Sequence, residues 1–407
     1  MNSARYIYVL IGMISLLAVG WRNTISVFYQ YLMDVYGVES VFQIAAYIAV
    51  ASSVGVVTSP LFGAIYDKRG PSIPLTIGAV SQTASGVLAF FMKSRPWGEA
   101  IWFWYAAAVA AGFVFPSVVT SVNPTVMKSI KSSPQLALAV AQTGSYMALT
   151  FWSPLITRLI PYVGPIETYS IASLITTLVL GICAVAYRGV KPQSTRTSNA
   201  ISSSRWRIYS IMLVSIFLIA TSSIAILSYL APIASEICVH SGISRGECIL
   251  VYTPAVMSAA GVLQSIGGFF WGFLAAKTHT LTTIFILYLT KVFSSLATVY
   301  LSSLNSWLAI LTLLLRLFAF GGEPVVHMVI IPVLLGGESI GKALGLQISV
   351  VMLSSIVGPS IGGIIRDVSG SYILTVAGSA ILTTSALLPL LAVSYSSMDR
   401  YVKKTRK

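Results

Sequence analysis

Charge is what this chain has least of: Asp, Glu, Lys and Arg make up 9% of its 407 residues, against about 25% in soluble domains. With 56% hydrophobic residues and a mean hydropathy of +0.86, an ordinary soluble globular protein is excluded and a polytopic membrane protein is expected. Cysteine and histidine are scarce as well, with three of each. There is no CxxC pair and no His cluster, so neither a metal site nor a cofactor is expected. Also missing are Asp clusters for a metal-bound diphosphate, the His pair of a membrane protease and an appended soluble domain, which argues against an embedded enzyme or sensor. Cys183 lies in an apolar run and reads as a packing residue. Cys238 and Cys248 flank a proposed loop, where a disulfide and reduced thiols are both open.

What the chain has in abundance is apolar runs of bilayer length, each needing ~20 residues to cross as a helix. Twelve candidates begin near Ile7, Ile44, Ile73, Ile101, Gln135, Ile166, Ile208, Ile249, Leu281, Trp307, Lys342 and Tyr372. The run from Ile7 to Leu32 is too long for a signal-peptide core and reads as a retained span. The expected fold is an all-α membrane protein, twelve transmembrane helices in two pseudo-symmetric six-helix bundles. Its parts are a bundle over 1–187, a basic linker over 188–207, a second bundle over 208–394 and a basic tail over 395–407.

The net charge of +14 could suggest nucleic acid, but its placement decides otherwise. Basic residues gather in alternate loops, most densely at Arg188, Lys191, Arg196, Arg205 and Arg207 and at Arg400, Lys403, Lys404, Arg406 and Lys407. By the positive-inside rule both termini are then cytoplasmic, in a multi-pass protein of the cell membrane. Its expected surroundings are lipid and not nucleic acid, and it is expected to function as a monomer.

Between the second and third runs lies a charged hinge, Gly63-Ala64-Ile65-Tyr66-Asp67-Lys68-Arg69-Gly70. Gly63 lets a neighbouring backbone approach closely, and Asp67 suits the N-H groups and positive dipole end at the start of the next helix. Gly272-Phe273-Leu274-Ala275-Ala276-Lys277 echoes the hinge about half a chain later, with Ala276 at the Asp position, as a degenerate duplication would leave it. A third match, Gly363-Ile364-Ile365-Arg366-Asp367-Val368-Ser369-Gly370, falls on the opposite side of the membrane, so a different role is expected there.

Four charges fall inside spans: Arg22, Lys291, Arg316 and Glu323. A central Arg or Lys costs ~2.5–3.5 kcal/mol on insertion scales and usually faces a bundle interior or an aqueous path. Three cations against one acid favour an anionic substrate. Arg22, Ser26 and Tyr29 follow helical steps of four and three, and a guanidinium grips a carboxylate through two parallel hydrogen bonds. Arg22 is therefore the first choice for substrate binding, the alternative being an Arg pinned to Glu323 or to carbonyls. Gln142, Tyr146, Tyr252, Gln264, Lys291 and Arg316 complete the candidate set. Glu323 is the candidate proton carrier with His327 four residues on, unless it is a static partner of Arg22 or Arg316. Gly321-Gly322-Glu323-Pro324 should weaken the tenth helix at midplane. Gly358-Pro359 through Gly362-Gly363 reads as close packing.

The hinge, the span count and the polar middle loop resemble the major facilitator superfamily over essentially the whole chain. Arg22-Asn23-Thr24-Ile25-Ser26-Val27-Phe28, Arg316 to Pro324 and Gly358 to Gly363 look like its monocarboxylate and oxalate/formate exchanger branch. The resemblance implies that Asp67 docks on a helix terminus of the opposite half as a cytoplasmic latch, with Gly63, Lys68, Arg69 and Gly70 as gating partners. Pro71 and Ser72 stand where the family has basic residues, and the eighth span lacks the charges of both branches. The implied function is a secondary transporter of a small organic anion, monocarboxylate-like, coupled to protons. Anion exchange and efflux of amphipathic compounds are the alternatives.

Overall fold

The computed structural model describes residues 3–38, 41–130, 133–190, 203–335 and 340–405, which form helices joined by short turns. Among the described residues, eleven helical stretches are long and apolar enough to cross a membrane. Pro134–Val163 matches them at 30 residues but carries Gln142, Thr143, Ser145, Thr150 and Ser153 along its length. It packs as the fifth span, bonding through Thr150 Oγ1 to the Ser258 carbonyl at 3.0 Å.

In the first half, span one is Ser3–Val19 and Ser26–Tyr36, separated by a 3₁₀ turn at Gly20–Thr24. Val41–Arg69, Ser72–Phe90, the pair Trp97–Ala111 and Val114–Ser129, Pro134–Val163 and Pro165–Ala186 are spans two to six. In the second half, Ser203–Ser228 with Leu230–Val239 is the seventh and Thr253–Lys277 the eighth. Thr280–Leu301, Ser306–Leu335, Ile340–Ser369 and Ile373–Thr405 complete the set.

Several boundaries differ from expectation. The seventh span already begins at Ser203, inside the expected linker, of which Lys191 and Arg196 lie outside the described residues, as does Lys131. The twelfth helix runs on to Thr405, so the expected tail continues the helix, with Arg406 and Lys407 outside the described residues. The hinge is shorter than its sequence suggests: Asp67, Lys68 and Arg69 form the last turn of the second span, and the chain reverses at Gly70, whose φ of 79° a side chain would strain.

Two expected features of the spans are reversed. The tenth helix is unbroken through Gly321 to Pro324. Its glycines serve contact instead: a Cβ on Gly321 would collide with the Gln264 carbonyl, and one on Gly322 with Trp271. The first span is interrupted instead, at the turn that carries Arg22, as are the fourth near Gly112 and the seventh at Tyr229.

The core tells which end is closed. One buried cluster joins the halves, running from Val9, Val122 and Leu138 to Trp271, Val326 and Leu344, toward the end that holds the chain termini. At the other end the core splits. Trp21, Phe28, Trp104 and Tyr169 form a cluster wholly in the first half, and Ile226, Ile233, Leu313 and Val376 form one that takes only Leu149 from it. The halves therefore meet tightly at the terminal end and separate at the far end, where Cys238 and Cys248 are joined in a disulfide.

Candidate functional site

The charged side chains do not converge on one point. Lys291 of the ninth span and Glu323 of the tenth form an ion pair, with Lys291 fully buried and Glu323 4% exposed. Ser223 of the seventh accepts from the Lys291 ammonium and donates to Glu323 Oε2 at 2.8 Å. Glu323 is thus held by Lys291, and not by Arg22 or Arg316. The Phe320 ring centroid lies 5.8 Å from Lys291 Nζ.

Arg316, also fully buried, is fixed within the second half. Its Nε donates to Ser295 Oγ at 2.7 Å, and its Nη2 to Ser222 Oγ at 2.7 Å and to the Ser222 carbonyl at 3.2 Å. Its Nη1 is buried without a hydrogen-bond partner among the described residues. His327 does not reach back to Glu323; its Nε2 bonds the Tyr288 hydroxyl at 2.9 Å, which Ser215 meets at 3.3 Å. The serines at 215, 222, 223 and 295 carry no signal in the sequence, because serine is unremarkable until a charge from another helix is placed beside it.

Arg22 sits in the first half, donating from Nη2 to Ser52 Oγ at 3.2 Å with its guanidinium 5.3 Å from the Phe115 ring centroid. Its Nη1 is likewise buried and unpartnered. It borders a cavity of about 20 Å³ lined by Trp21, Tyr47, Gln82 and Phe115 among others, room for a water-sized group. The 3₁₀ turn breaks the stagger expected for Arg22, Ser26 and Tyr29: Ser26 opens the next helix, half-buried, and the Tyr29 hydroxyl is buried without a partner among the described residues.

Gln142, Tyr146 and Gln264 lie on the seam between the halves. The Gln142 amide donates to Asn123 Oδ1 at 3.0 Å, and Asn123 reaches Met328 Sδ across the seam at 2.9 Å. Tyr146 donates to the Gly321 carbonyl at 2.7 Å, and Gln264 Nε2 is buried without a hydrogen-bond partner among the described residues. Tyr252 stands apart, half-buried beside Trp307 with ring centroids 5.9 Å apart at the far end. Trp307 is ~24 Å along the tenth helix from Glu323 at 1.5 Å per residue.

At the terminal end Asp67 accepts from the backbone N-H of Gly341 at 3.3 Å and of Lys342 at 3.1 Å, the first turn of the eleventh span. It caps that helix and not the third span, whose N-cap Pro71 has no side-chain bond. Gly63 makes the approach possible, since a Cβ there would collide with the Gly341 carbonyl. Lys68 and Arg69 are exposed. The cation beside the latch is Lys128, over the Tyr66 ring at 4.8 Å and bonded to its hydroxyl at 3.3 Å.

This arrangement defines a two-bundle membrane protein with buried charge in each half and a capped helix terminus closing one end. Solved structures share that fold. A fucose:proton symporter of Escherichia coli is 15% identical with a TM-score of 0.67, covering 96% of this chain and 99% of its own. A bacterial homologue of the iron transporter ferroportin, in its outward-facing state, is 11% identical with a TM-score of 0.75 and the same coverage. A major facilitator superfamily transporter in its outward conformation is 17% identical with a TM-score of 0.65, again covering 96% of this chain and 99% of its own, and this chain shares its fold. No family model and no curated protein sequence matches the chain.

Proposed function

We propose that the chain is a secondary transporter of a small, monocarboxylate-like organic anion, working by alternating access of its two halves. The observation that carries this reading is the pair of buried guanidinium Nη1 groups, at Arg22 and Arg316, with the buried carboxylate Glu323 already taken by Lys291. An unpaired buried charge is strongly unfavourable, so an anion that supplies the missing acceptor is favoured. Arg22 is the binding residue, because it borders a cavity whereas Arg316 is enclosed by its serines.

Proton coupling runs through Glu323. While ionised it neutralises Lys291; once protonated it releases an ammonium that then favours an incoming anion, so proton and anion load together. Exchange without net proton movement is the second reading, favoured by how completely Ser223 and Lys291 occupy the carboxylate. The disulfide at the far end fits an oxidising compartment there, and with Lys68, Arg69 and Lys277 at the other end it supports cytoplasmic termini in the cell membrane.

Thermal stability in detergent, titrated with a panel of small carboxylates, tests the binding claim. A ligand at a hundred times its Kd stabilises by about 2.7 kcal/mol. Arg22→Ala should weaken that binding about 10- to 100-fold, the loss of one charge-assisted contact. An unchanged titration curve for Arg22→Ala removes Arg22 from the site.

A further inference from the structure

The second and eleventh spans end alike. The second closes with Gly63-x-x-x-Asp67-x-x-Gly70 and the eleventh with Gly363-x-x-x-Asp367-x-x-Gly370. Both terminal glycines take the same left-handed turn, φ 79° and 75°, and both N-H groups bond four residues back, to Tyr66 at 2.8 Å and to Arg366 at 2.7 Å. The entries match too: Glu39-Ser40-Val41 precedes one helix body and Glu338-Ser339-Ile340 the other.

These two helices lie against each other in opposite directions. A Cβ on Gly55 would strike Met352, one on Gly63 the Gly341 backbone, and one on Gly345 the Ser59 carbonyl, while Ser349 donates to the Val56 carbonyl at 2.7 Å. Each step toward the C-terminus of one is therefore a step toward the N-terminus of the other. The register that sets Asp67 on Gly341 and Lys342 therefore sets Asp367 opposite Val41 and Phe42, the first turn of the second span. In this structure the far end is split, and Asp367 is 74% exposed, paired with its neighbour Arg366 at 3.1 Å.

We propose that Asp367 is the reciprocal latch: when the halves rock and the terminal end opens, its carboxylate caps the N-terminus of the second span and holds the far end shut. The proposal rests on the alternating-access reading above. The contact is an anion on the positive end of a helix, the same physics as Asp67 on the eleventh span. By the same register Val41, and not a glycine, takes the place that Gly341 holds at the terminal end, so the far latch lacks the paired-glycine contact and is the weaker of the two. A pair of unequal latches favours the terminal-end-closed state.

Distances between spin labels on the full-length protein in lipid nanodiscs test this, with Ser94→Cys and Ser303→Cys placed at the far end of the two halves in a Cys183→Ser background. Asp67→Asn should shift the ratio of long to short far-end distances about fivefold toward short, the effect of one carboxylate at a helix terminus. Asp367→Asn should shift it the other way, about threefold, and the double variant should return toward the parent. A shift with Asp67→Asn but none with Asp367→Asn overturns the reciprocal latch and leaves alternating access standing. A single distance that neither substitution moves overturns both.

Discussion

Glu323→Gln should cost about 3–5 kcal/mol of stability, the usual penalty for removing one partner of a buried ion pair. The reason is specific to this core. Lys291 is wholly buried, its ammonium faces Ser223 and Glu323, and Arg316, on the same helix as Glu323, makes no bond to an acid among the described residues. Neutralising the carboxylate leaves two cations among apolar walls. The loss should be largely repaired by adding Lys291→Met, which removes the stranded charge while keeping a long side chain against Phe320. Melting temperatures of the two single variants and the double check this. Independent, additive losses would mean that the pair does not interact energetically. Even where Glu323→Gln remains folded, net proton-driven uptake should be lost, because the variant cannot release and recapture the proton that alternates with Lys291.

Gly321→Ala should be among the most damaging changes of a single methyl group, with Gly144 and Gly267 equally close to a facing carbonyl. The added Cβ would meet the carbonyl of Gln264, a backbone atom in the middle of the eighth helix that cannot rotate away. Overpacking of this kind costs about 1–3 kcal/mol and more where backbone opposes backbone. It would also displace the Gly321 carbonyl from the Tyr146 hydroxyl that crosses the seam between halves. Gly181→Ala is the matched control, since nothing lies within 4 Å of its Cβ; there the substitution should be neutral or slightly stabilising, as expected for a helix interior. Equal melting temperatures for the two variants would contradict the close crossing of the eighth and tenth spans.

The spans are legible in the sequence because a bilayer imposes length and apolarity on every helix that crosses it. All twelve expected starts fall near the observed ones, and the fold class follows from them. The charges of the candidate site are legible for the same reason: Arg22, Lys291, Arg316 and Glu323 stand out against apolar surroundings. Their partners are not. Reasoning within one helix offers His327 as the neighbour of Glu323, four residues on, whereas the bonds made are to Lys291 and Ser223 on other spans, a tertiary fact. Gly321-Gly322 with Pro324 reads as a break when only the helix itself is considered. It turns out to be a crossing point, because the eighth span supplies the backbone that those glycines accommodate. Conversely, nothing in Gly20-Trp21-Arg22-Asn23-Thr24 signals a 3₁₀ turn, which carries neither proline nor paired glycines. Tyr252 resembles a site residue by type alone, and its place at the far rim follows from the π-helical turn Cys248–Tyr252 that leads into the eighth span.

Uptake of labelled monocarboxylates into proteoliposomes, under an imposed proton gradient, measures the central claim most directly. The parent protein should accumulate a small carboxylate in step with the gradient, and Arg22→Ala, properly folded by its melting curve, should not. Accumulation by Arg22→Ala at the parent's rate, or a parent that moves neutral amphipathic compounds while ignoring every anion offered, would contradict it.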